Sequence, residues 1–173
     1  VTAGIVPMNF PAMIPWGWMV PLSIACGNTV VLKASSQTPL TAMRIMELFY
    51  TEGGFPKGVV NLVTCSRVEA DILLTDERVK AVTFVGTTGV GKQVYSKAAA
   101  HGKRVQAQCE AKNHALVLED CNLEATVNAI INSTYGCAGM RCMALPVVCV
   151  QESIADEFVA LLKKKAEAMK LGC

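Results

Sequence analysis

The chain has no uninterrupted apolar run long enough to cross a bilayer. Its most apolar stretch, Ala12 to Cys26, carries internal prolines and stops at Gly27-Asn28. No basic segment precedes its first apolar residues, so nothing there reads as a secretory signal. An excess of charge is also missing: 16 Lys and Arg stand against 14 Asp and Glu, and a net +2 makes no case for nucleic acid. The Lys163-Lys164-Lys165 run falls on an amphipathic helical pattern and reads as a solvated face. CxxC pairs are absent and only two histidines occur, His101 and His114, so zinc spacing is missing, no metal site is expected, and both histidines read as structural. Eight cysteines in 173 residues fall below the density of small disulfide scaffolds, which favours a reducing, intracellular compartment.

What is present is a globular composition, 52% hydrophobic and 17% charged. A short buried strand is expected over residues 2–6, with Pro7 and Pro11 holding an extended turn around Asn9. A buried helix kinked at Pro21 is expected from Ala12 to Cys26, then a strand over residues 29–33, continuous and β-branched as in a sheet covered on both faces. Thr38 and Pro39 predict the N-cap and first turn of a helix running to about Thr51. Further strands are predicted over 59–63, 79–85, 104–108, 115–118 and 147–150. Helices are predicted over 69–74, from Gly86-Thr87-Thr88-Gly89-Val90-Gly91 to about Ala100, from a cap at Asn122 or Asp120 to Tyr135, and over 154–169. Strands alternating with helices at this spacing mean βαβ units, an α/β fold and a mostly parallel sheet, whose ligands bind beyond the carboxyl ends of the strands.

Three candidate sites fall at such ends. Gly86 to Gly91 is a glycine-bearing turn from strand to helix, which presents free N–H groups and a positive helix end to a phosphate, with Thr87 or Thr88 adding a hydroxyl. Lys33 closes the neighbouring strand, within reach of a ribose or phosphate. Asn9 has an amide that could donate to an oxyanion, and a turn-forming role is its bland alternative. A fourth stretch, Gly136-Cys137-Ala138-Gly139-Met140-Arg141-Cys142-Met143-Ala144, sets an arginine before Cys142 among small or flexible neighbours, as a reactive thiolate requires.

Pro7-Met8-Asn9-Phe10-Pro11, Val31-Leu32-Lys33, Phe84-Val85-Gly86-Thr87-Thr88-Gly89-Val90-Gly91 and Gly139-Met140-Arg141-Cys142 together resemble the aldehyde dehydrogenase superfamily over essentially the whole chain. Within it, Gly102-Lys103-Arg104-Val105-Gln106, Ala111-Lys112-Asn113-His114 and Arg141-Cys142-Met143-Ala144 look most like the methylmalonate-semialdehyde dehydrogenases, the CoA-acylating branch. The resemblance implies an incomplete aldehyde dehydrogenase fold, with a Rossmann-like NAD(P)-binding domain over residues 1–110 and the start of an α/β catalytic domain over 111–173. It implies Cys142 as nucleophile, with Asn9 and the Cys142 backbone N–H on the oxyanion. Pro7, Phe10, Lys33, Ser36, Gly86, Thr87 and Gly91 would serve the cofactor, and Arg141 the substrate carboxylate. An aldehyde substrate, NAD or NADP, and CoA as acyl acceptor follow by the same route. So do a homo-oligomer, dimer or tetramer, and a cytoplasmic location, mitochondrial in a eukaryote.

Some positions depart from the pattern. Gln108 stands where hydrolytic relatives carry a glutamate base, which disfavours water as the acyl acceptor. Ser36 replaces the glutamate common in NAD-preferring relatives, which makes room for the 2′-phosphate of NADP. Glu110 stands where the family has a glycine, and either crowds or repels the cofactor or serves as a displaced base. Pro146 enters the strand after the nucleophile and predicts an edge or a bulge. An NADP-linked dehydrogenase releasing the free acid, and a non-catalytic nucleotide-binding relative, are the rival readings. The chain opens inside a strand-like run and ends where a helix hands over, as a central piece of a longer protein would. Such a piece alone is expected to be inactive.

Overall fold

The computed structural model describes residues 1–172; Cys173, one of the eight cysteines, lies outside the described residues. The chain divides into two compact units, Val1–Glu110 and Ala111–Cys173. Among the described residues no helix is long and apolar enough to cross a membrane.

In the first unit, strands β1 (Thr2–Ile5), β2 (Val30–Lys33), β3 (Val60–Val63), β4 (Ala81–Val85) and β5 (Arg104–Gln108) form one parallel sheet. Their order is β3-β2-β1-β4-β5. Register places Ile5 beside both Lys33 and Phe84, and Lys33 beside Val63, so these strands end level. Helices cover both faces, which is why the central strands are largely apolar, with no strict alternation of polar residues. On one face Val30, Leu32, Val60 and Val85 pack with α1 (Val20–Ala25), α2 (Pro39–Thr51) and the segment before α1. On the other, Ala3, Val82 and Phe84 pack with Leu73 and Leu74 of α3 (Ile72–Thr75) and with Val94 and Ala98 of α4 (Thr88–Ala100).

Local chemistry sets two differences from the sequence expectation. The single kinked helix over Ala12–Cys26 is instead a π-helical segment, Met13–Met19, running into α1. Pro21 is the second residue of α1, and the helical backbone is continuous through Met19 and Val20, whose N–H donates to the Pro15 carbonyl, so the change from π- to α-helical winding falls at the proline. Thr38 precedes α2 but makes no side-chain cap; its hydroxyl donates to the Met8 carbonyl at 3.1 Å and ties the loop after β1 to the start of α2.

Lys103 is the one buried charged side chain among the described residues. Its Nζ donates to the carbonyls of Val79, at 2.7 Å, and Asp76, and so staples the loop before β4.

In the second unit, β6 (His114–Val117) pairs in parallel with β7 (Val147–Val150). Helix α5 (Leu123–Tyr135) lies between them in sequence, and α6 (Ala155–Glu167) follows β7. Val117, Val127, Ile130 and Phe158 form the core of this unit. Of the two possible caps for α5, Asn122 is the one used: its Oδ1 accepts from the Ala125 N–H at 3.0 Å. Pro146 sits immediately before β7, where it costs the ladder nothing.

Candidate active site

Strand order reverses direction between β1 and β4, and a parallel sheet opens a crevice at that switch point. A cavity of about 720 Å³ lies there, walled by Ile5 to Met8 after β1, by Phe84 to Thr87 after β4, and by residues following β2 and β3. Pro7, Lys33, Gly86 and Thr87 all line it. Ser36 does not: it is exposed, while Ser35 and Gln37 on either side contribute to the wall. Phe10 packs on the apolar core instead, and Asn9 is half-buried between Met8 and Phe10.

The charges in the cavity wall are unequal. Lys97 is paired with Asp71 at 2.5 Å, whereas Lys33 and Arg67 have no carboxylate in ion-pair reach among the described residues. Arg67 is steadied by a hydrogen bond from its guanidinium to the Gln93 side-chain carbonyl. A mainly apolar cavity with two cations in its wall that lack a carboxylate partner among the described residues suits an anionic, partly aromatic ligand such as an adenine nucleotide.

The glycine turn fits tightly. A Cβ at Gly86 would meet the Phe84 ring, and one at Gly91 would meet the Cys109 sulfur, so Gly91 is buried and its small size is set by packing beneath the turn. The Gly86 N–H is already committed to the Gln108 carbonyl at 3.1 Å. The Thr88 N–H, at the start of α4, donates to Glu110 Oε2 at 2.8 Å. Hydrogen bonds from the Thr88 side chain and N–H hold the Glu110 carboxyl below its ordinary range.

The second unit displays Cys142. After α5 the chain passes through Gly136–Gly139, where Cys137 and Ala138 both take left-handed backbone angles (φ 54°). Cys142 is exposed and Ala144 is buried, so the loop is anchored just beyond the thiol. The Asn113 amide donates to the carbonyls of Cys142, at 2.8 Å, and Ala144, at 2.9 Å. The Thr134 hydroxyl holds the Leu145 carbonyl at 2.8 Å. Arg141 turns back: its Nε donates to Cys137 Sγ at 3.3 Å, and its guanidinium lies so close over Gly136 that a Cβ there would be 2.7 Å from Cζ.

A sequence profile of the aldehyde dehydrogenase family matches residues 1–173. The chain belongs to that family. It is 53% identical to the malonate-semialdehyde dehydrogenase of Bacillus cytotoxicus over 172 residues, 99% of this chain and 35% of that protein. The crystal structure of methylmalonate-semialdehyde dehydrogenase from Oceanimonas doudoroffii is 42% identical, with TM-score 0.94, over 99% of this chain and 35% of its own. A Sinorhizobium meliloti 1021 protein provisionally assigned as methylmalonate-semialdehyde dehydrogenase, solved with NAD, is 41% identical at TM-score 0.93 with the same coverage. The chain thus spans about a third of the length of the curated relatives it matches.

Arg67 and Gln93 in the cavity wall of this aldehyde dehydrogenase family member, and Asn113 at the Cys142 loop, are among the residues that motif reading did not single out. Arg67 and Gln93 meet across 26 residues, so neither carries a local signal. Asn113 sits inside the quoted Ala111-Lys112-Asn113-His114 motif, but its partners lie 29 and 31 residues away.

Proposed function

We propose that the whole protein oxidises a malonate- or methylmalonate-type semialdehyde with a nicotinamide dinucleotide and passes the acyl group to CoA. The observation that carries the reading is Cys142, an exposed thiol on a loop whose backbone is pinned at the Cys142 and Ala144 carbonyls. In this reading residues 1–110 are part of the NAD(P)-binding domain and 111–173 begin the catalytic domain. The apolar cleft, Lys33 and Arg67 suit the adenosine end of the cofactor, and Gly86 and Thr87 border its pyrophosphate. Bound there, the nicotinamide supplies the two-electron acceptor for the aldehyde oxidation.

This chain's residues do the rest. The Cys142 thiolate adds to the aldehyde carbon, and the new oxyanion is assigned to the Asn9 amide and the Cys142 backbone N–H. Oxidation leaves the acyl group on sulfur as a thioester. Gln108, an amide where a carboxylate base would activate water, leaves that thioester to a better nucleophile, the CoA thiol. Arg141, turned onto Gly136 and Cys137, shapes the nucleophile loop in this state; a substrate carboxylate would draw its guanidinium away. With serine at position 36 and no carboxylate in ion-pair reach of Lys33 or Arg67 among the described residues, a 2′-phosphate is tolerated, so NADP can serve in place of NAD. A homo-oligomer, dimer or tetramer, is the expected assembly.

The deciding experiment is a steady-state assay of the full-length protein with malonate and methylmalonate semialdehydes, varying CoA, NAD and NADP independently. Turnover that requires CoA supports the acylating reading, and equal turnover without it supports release of the free acid. Glu110 and Gln108, both departures from the catalytic pattern, favour a second reading, a degenerate, non-catalytic nucleotide-binding relative. Labelling of Cys142 by a thiol reagent, slowed by aldehyde, argues against that; nucleotide binding with no aldehyde-dependent rise in reduced nicotinamide absorbance argues for it.

A further inference from the structure

At the start of α4, the Thr88, Gly89 and Val90 N–H groups precede the first helical hydrogen bond, Gly91 N–H to Thr87 carbonyl at 2.8 Å. Such N–H groups, with the positive end of a 13-residue helix behind them, form the anion-binding element that borders the Gly86-Thr87 corner of the cavity. One of them is already taken. Glu110 follows β5, whose last residue, Gln108, is bonded to the Gly86 N–H, and this register carries the Glu110 side chain across to the helix end. There Glu110 Oε2 accepts from the Thr88 N–H at 2.8 Å.

We infer that Glu110 is a built-in competitor of the cofactor's pyrophosphate and sets the dinucleotide affinity of this protein. The inference rests on the cavity being the cofactor site. A bound dinucleotide has to displace the carboxylate from the Thr88 N–H or lie beside it, and either route weakens binding through a lost charge-assisted hydrogen bond or like-charge repulsion. The adenosine half, which occupies the cleft between Lys33 and Arg67, is spared. Glu110 therefore discriminates between the two halves of one ligand. It lies outside the cavity wall and acts on the ligand through the helix end.

Isothermal titration of the full-length protein with NAD and with adenosine, in wild type, Glu110→Gln and Glu110→Ala, tests this. Glu110→Gln keeps an oxygen acceptor for Thr88 and removes the charge; Glu110→Ala removes both. The expected result is NAD binding tightened about tenfold or more in both variants, with adenosine affinity moved less than about twofold. If NAD affinity stays level or falls while the thermal midpoint drops, Glu110 is a helix cap and the inference is overturned. If adenosine and NAD bind to none of the three proteins, the cofactor reading itself fails and takes this inference with it. Binding of adenosine by all three with unchanged NAD affinity overturns only the role of Glu110.

Discussion

The Asn113 amide nitrogen donates to two carbonyls at once, so only its NH2 end can face the nucleophile loop. Asn113→Asp would set an oxygen against two oxygens, and Asn113→Ala would leave both carbonyls without their donor. In the full-length protein, Asn113→Ala is expected to lower kcat about tenfold and stability by about 1–3 kcal/mol, with nucleotide affinity unchanged. Steady-state kinetics beside denaturant melts check both halves, and unaltered alkylation of Cys142 in the variant would argue against a positioning role. Lys103 poses the same problem in the first unit. Lys103→Met keeps the stem but strands the Asp76 and Val79 carbonyls, and should destabilise by about 2 kcal/mol in urea without changing turnover.

Helix α5 starts where it does because Asn122 satisfies the Ala125 N–H. Asn122→Ala is expected to lower stability by about 1 kcal/mol, read as a shift in denaturation midpoint with an unchanged slope. Start signals of this kind are legible in sequence because the cap and its partner lie three residues apart. The strands were legible for a different reason: β2 and β4 are short, β-branched and largely apolar runs, as a sheet covered on both faces requires. What could not be read depends on distant partners. The Thr38 hydroxyl leaves its own helix for a carbonyl 30 residues away, and nothing local distinguishes that from a cap. Pro21 marks a disturbance of the helix in sequence, but nothing local shows that the turns before it are wound as a π-helix. Among the residues that line the cavity, Lys33, Gly86 and Thr87 are visible in sequence because strand ends and glycine turns mark them. Ser36, named from the family resemblance alone, is exposed between two residues of the wall, Ser35 and Gln37.

Across the first unit, acid should act through a few carboxylates. Arg78 holds Asp76 far below the usual range through its guanidinium and N–H, and Thr88 and Ser66 lower Glu110 and Glu69. Each is depressed in the folded state, so its stabilisation is fully present above the unfolded value and fades as pH falls through the folded one. Stability should therefore decline from about pH 5 downward, and Asp76→Asn should flatten the decline; a melting midpoint level from pH 6 to pH 3 would sink this account. The parallel sheet has one more consequence, since all five strands point the same way. Every cavity-lining loop leaves a strand at its carboxyl end, while the turns at Gly54, Gly58 and Gly102, all with positive φ, serve the opposite rim. The carboxyl-end rim holds the larger cavity, and the opposite rim carries a smaller one of about 290 Å³ beside Val1, Arg78 and Val79. A short peptide inserted between Gly53 and Gly54 should leave nucleotide binding intact, and the same peptide after Gln37 should abolish it. The Gly53-Gly54 turn is thus the expected place to lengthen or tag this unit without disturbing its larger cavity.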